Sequence, residues 1–65
     1  MVHQHTNENL PEPRKKEIFL ALVEAQDKSM PVAQSRTLVA HRFHISVQEV
    51  LLIEEEGMDQ GWPPL

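Results

Sequence analysis

LVAHRFHISVQEVLLIEEEGM, residues 38 to 58, is the stretch whose reading decides the fold. A helix start lies in its middle. Ser46-Val47-Gln48-Glu49 is an S-x-x-E capping box, in which the serine hydroxyl accepts from the Glu49 N–H and the Glu49 carboxylate accepts from the Ser46 N–H. Ile45 before the cap and Val50 at the fourth helical position have the spacing of a hydrophobic staple, which sets the angle at which the chain enters the helix. Upstream, Val39, Ala40 and Phe43 place apolar groups where a preceding helix must meet this one. Downstream, Val50, Ile53 and Gly57 recur at helical spacing. The stretch reads as two helices joined by a tight turn.

Working outward, Pro11-Glu12-Pro13 suits the first turn of an earlier helix, predicted from about Glu12 to Asp27. Ile18, Ala21, Leu22 and Ala25 share its apolar face, Phe19 and Val23 widen it, and Leu20 falls outside it. Lys28-Ser29-Met30-Pro31 is a connection, with Ser29 as a cap and Pro31 just inside the next helix. That second helix runs to Phe43, burying Val32, Val39 and Phe43 together with Leu38. Ser35, Arg36 and Arg42 point away, and Ala40 supplies the small residue at the crossing. The third helix runs from Val47 to Met58 or Gln60, with Gly57 free to lie against another backbone and Gly61 as its stop. Trp62-Pro63-Pro64 cannot continue it. The fold expected is all-α: a three-helix domain over residues 11–60, with a helix-turn-helix formed by helices 2 and 3. A disordered tail over residues 1–10 and a Trp/Pro tail over 61–65 flank it.

Composition narrows the function classes. A chain of 65 residues makes one small domain, burying only about 60 % of its unfolded surface. It has no cysteine, so neither a disulfide nor a thiolate metal site can staple it. Its net charge of −4 argues against DNA or an anionic membrane as the main partner, since phosphate contacts favour basic surfaces. The longest apolar run, Ile18 to Val23, is far too short to span a bilayer, and residues 1–9 lack the pattern of a secretory signal. The expectation is a cytoplasmic protein.

No catalytic residue, cofactor site or metal site is assigned. Met1-Val2-His3 has the free-amine arrangement that chelates copper or nickel, but a methionine before valine is often removed, which displaces the histidine. His41 and His44, three apart, lack a third ligand nearby, and a histidine at a helix C-terminus is favoured by the dipole alone. There is no glycine-rich phosphate loop and no partnered nucleophile. Enzyme is the least favoured class.

Leu38-Val39-Ala40-His41-Arg42-Phe43-His44-Ile45-Ser46, followed by Val50 and Ile53-Glu54, resembles the helix-turn-helix in the fourth conserved region of bacterial primary sigma factors. It is also similar to the wider superfamily of prokaryotic helix-turn-helix regulators. The resemblance covers about a third of the chain. It implies a right-handed trihelical unit with Val47–Met58 as the recognition helix, and a role in transcription regulation. The sequence departs from that pattern in two places. His44 occupies a turn position that is usually glycine and needs a left-handed backbone. The outward positions of the third helix are Val47, Gln48, Leu51, Leu52, Glu55 and Glu56, of which only Gln48 is suited to reading a base edge. No lysine or arginine follows Arg42.

Two functional expectations result. The first is a small non-enzymatic protein-interaction module, binding a protein partner or its own copy through Val47, Leu51, Leu52 and Met58, with Trp62 as an aromatic anchor; in the competing readings Trp62 folds back over the small core, or the tail with Trp62 and Leu65 covers the second apolar stripe of the third helix, Val47, Leu51 and Met58. The alternative is a DNA-binding regulator using Arg36, His41, Arg42, His44 and Gln48, with Arg14, Lys15 and Lys16 against the backbone. Arg14-Lys15-Lys16 at the positive end of the first helix and Glu54-Glu55-Glu56 at the negative end of the third each oppose the helix dipole. Pairing between the two runs would offset that cost.

Overall fold

The computed structural model describes residues 10 to 65 as three helices and no strand. Helix α1 spans Glu12–Asp27, α2 Val32–Phe43 and α3 Val47–Gln60. Each helix packs on both others. Of the tail expected over residues 1–10, residues 1–9, including the His3 site, lie outside the described residues, whereas Leu10 is not a disordered tail residue: its apolar side chain packs, partly buried, against the core.

The capping box forms at α3. The Glu49 N–H donates to the Ser46 hydroxyl at 3.1 Å, and the Ser46 N–H donates to the Glu49 carboxylate at 3.0 Å. Val50 is buried and Ile45 packs against the same core, so the staple closes as its spacing requires. Just before the cap, His44 holds φ 60° and ψ 42°. The Ile45 N–H then reaches back to the Ala40 carbonyl at 3.0 Å, and the His44 N–H to that of His41 at 3.3 Å. This is a Schellman closure, with histidine doing what glycine usually does. Gly61 ends α3 in the same way at φ 66°, and the Trp62 N–H bonds to the Gly57 carbonyl at 3.0 Å.

Ser29 also adopts a positive φ, 67°. It was expected to cap α2. Instead its N–H bonds to Gln26 O, so it closes α1, and Pro31 stands at the N-cap of α2 with no side-chain bond.

The core comprises Ile18, Phe19 and Leu22 of α1, Val39 and Ala40 of α2, Val50 and Ile53 of α3, and Trp62. A close approach joins α1 to α3. Gly57 is buried, and a Cβ on it would fall 2.6 Å from Phe19 Cε1 and 2.8 Å from Cγ. The expectation for Gly57 was an approach of another backbone; the structure places an aromatic ring there. Trp62 packs edge-on against Phe19, with centroids 6.0 Å apart at 83°, a favourable aromatic geometry.

Four α2 residues depart from expectation, one of them Arg36, which bonds to Glu54 of α3. Val32 and Leu38, assigned to the core, are exposed. Val32 sits in the first turn, and Leu38 lies about 140° around the helix from Phe43. Ser35, expected to point outward, is completely buried. Its hydroxyl donates to Val32 O at 2.6 Å and accepts from Gln26 Nε2 at 3.2 Å. Such pairing removes most of the cost of burying a polar group, and here it ties α1 to α2.

Two substitutions test this account. Gly57→Ala is expected to lower unfolding stability in urea by about 1–2 kcal/mol, because the clash with Phe19 outweighs a helix-propensity gain of ~1 kcal/mol. His44→Gly is expected to raise stability by about 0.5–1 kcal/mol in the same assay, because glycine removes the left-handed strain at a smaller unfolded-state cost.

Candidate interaction surface

The side of α3 opposite Val50, Ile53 and Gly57 faces outward. Leu51, Leu52 and Met58 there are 39 %, 52 % and 63 % exposed. They line an open groove of about 700 Å³ whose polar margin is Arg36, Gln48, Glu54 and Glu55. Val47, also exposed, lies one turn before Leu51 on the same helix. Four of the five residues expected at a protein interface are therefore exposed on one helix, and three of them share a groove.

Trp62 is the exception. It is 4 % exposed and belongs to the core, so the aromatic-anchor role is corrected. The Schellman closure at Gly61 turns the chain back toward Phe19, on the side of α3 away from Leu51 and Leu52. The same turn decides what covers the outward stripe. Trp62 covers the core, and Leu65 stays 65 % exposed, so neither lies over Leu51, Leu52 or Met58.

The charged residues mostly pair within the chain. Lys15 Nζ meets Glu56 Oε1 at 3.0 Å, joining the basic start of α1 to the acidic end of α3 as the dipole argument anticipates. The other members of the two runs do not meet. Arg14 pairs with Glu17 at 2.9 Å and Lys16 with Glu12 at 3.3 Å, both within α1. Arg36, expected to point away, bonds through Nε to Glu54 at 2.9 Å and so bridges α2 to α3. Arg14 and Arg42 both lie over the Phe43 ring, at 4.9 Å and 5.7 Å from its centroid.

The residues considered for DNA contact are not gathered on one face. Arg36 and Gln48 border the α3 groove. His41 lines a second groove of about 600 Å³ on α2, with Met30, Leu38, Ala33, Gln34 and Thr37. Of the six lysines and arginines, Arg14, Lys15, Lys16 and Arg36 already pair with carboxylates. Among the described residues no three histidine, aspartate or glutamate side chains gather to hold a metal ion, and no helix is long and apolar enough to cross a membrane.

The α2 groove was missed by sequence reasoning. Its signal was Leu38, which stands off the stripe of Val39 and Phe43 and was absorbed into the core for its hydrophobicity alone.

No protein-family model, curated protein or solved structure matches this chain.

The Arg36–Glu54 bridge carries a measurable consequence. Its side chains are 30 % and 15 % exposed, so a double-mutant cycle with Arg36→Ala and Glu54→Ala should give a coupling of about 0.5–1 kcal/mol in low salt, shrinking as salt is added.

Proposed function

We propose that this chain is a small non-enzymatic protein-interaction module that docks a polypeptide partner on the outward face of α3. One observation carries the reading: Trp62, a residue available to cover the outward side of α3, is buried in the core, and Leu51, Leu52 and Met58 stay exposed. These three are left exposed around one groove, and contiguous apolar surface of that kind marks interfaces. The polar margin around an apolar centre follows the usual anatomy of such sites.

A helix-turn-helix ancestry, with a role in transcription, belongs to the same proposal. What supports it is local: the left-handed turn at His44, the cap at Ser46 and the buried small residue Ala40. A cytoplasmic setting is part of the proposal as well and rests on the sequence reading. Against direct base reading stand the carboxylates of α3 and the engagement of Arg36 by Glu54. A phosphate backbone rewards free cations.

Selection of binders from a random peptide library displayed on phage tests the reading. The selected peptides should lose at least about tenfold in affinity on Leu51→Glu and be unaffected by Leu38→Glu on α2, with both variants folded by circular dichroism. Peptides that map to another face would overturn the proposal. So would sub-micromolar binding of duplex DNA with a steep salt dependence.

A further inference from the structure

We propose that the occupant of the α3 groove is a cationic amphipathic segment: a polypeptide stretch with apolar side chains on one side and lysine or arginine along one edge. This rests on the α3 surface being a docking site, and it adds the chemistry of the partner.

Helix α3 carries five carboxylates, Glu49, Glu54, Glu55, Glu56 and Asp59, and no basic residue. Three have work within the chain. Glu49 closes the capping box, Glu54 holds Arg36 and Glu56 holds Lys15. Glu55 and Asp59 have no ion pair among the described residues. They are exposed and stand one turn apart, and the helical turn places them between the row of Val47, Leu51 and Met58 and the side chain of Leu52, so they form an acidic row along one edge of the former. Glu55 itself borders the groove, and Asp59 follows the groove residue Met58. Like charges at this spacing repel by a modest amount, and a cation placed beside both removes that repulsion while its apolar neighbours fill the groove.

The same charges decide among occupants. The same face of a second copy would bring another Glu55 and Asp59, and, among the described residues, the one cation that borders it, Arg36, is already held by Glu54. Nucleic-acid phosphate and anionic lipid meet the same repulsion. The apolar row from Val47 to Met58 is about 16 Å long, which matches about three turns of a helix laid along it.

The test uses three synthetic amphipathic peptides of about fifteen residues, long enough to form a helix on docking. They share one leucine face and carry lysine, glutamine or glutamate on the other. Binding to the full chain is measured by fluorescence anisotropy at low salt, with the site located by amide NMR shifts. The lysine peptide is expected to bind about tenfold or more tighter than the glutamate peptide and to shift Leu51, Leu52 and Met58. The double variant Glu55→Lys/Asp59→Lys is expected to reverse the ranking. A ranking unchanged by that reversal, or shifts confined to another face, would overturn the inference. If the glutamine peptide binds this face as well as the lysine peptide, the charge inference falls while the docking surface stands. If no peptide binds, the inference falls, and the docking surface is then judged by the display selection alone.

Discussion

The contact on which the rest of this molecule depends is the face of Phe19 against the bare backbone of Gly57. It brings α1 and α3 closer than any side chain larger than hydrogen allows. Close approach raises packing density in a domain that has few buried residues. It also leaves room for Trp62 to close over the Phe19 ring. The remaining core residues, Ile18, Leu22, Val39, Val50 and Ile53, fill the space this contact defines. Two ion pairs, Lys15–Glu56 and Arg36–Glu54, then link α3 to α1 and to α2. Their side chains are partly shielded from solvent.

Much of the fold was legible because its signals are local. The bounds of α1 and α3 and the cap at Ser46 follow from proline, serine, glutamate and glycine at positions where the backbone needs them, whereas the left-handed turn at His44 was expected from the helix-turn-helix resemblance and not from the residue. The misread positions each involve a tertiary choice. Ser35 is buried because Gln26 on the neighbouring helix supplies a hydrogen-bond partner, and no pattern along one helix reveals that. Ser29 looked like the start of α2 but closes α1, because a serine in a short connection between two helices suits either role until the backbone angle is known. Leu38 is apolar and exposed, and hydrophobicity by itself does not tell a core residue from a surface one.

The candidate surface was legible in a different sense. Leu51, Leu52 and Met58 were marked by a surplus: α3 has more apolar positions than one core face can absorb. What the sequence left open was the seat of Trp62. That residue had two roles available, and the choice between them turned on the direction taken by the chain after Gly61. One left-handed glycine therefore settles whether the outward stripe is covered.

The position of Trp62 also gives the molecule a built-in optical gauge. It is the single indole in the chain, shielded from water in the folded state and released to it on unfolding. Its emission therefore reports the integrity of the whole bundle without any label. It lies behind α3 rather than before it, so a ligand arriving at the opposite side leaves that light largely undisturbed. Melting and occupancy become separable signals within one unmodified polypeptide.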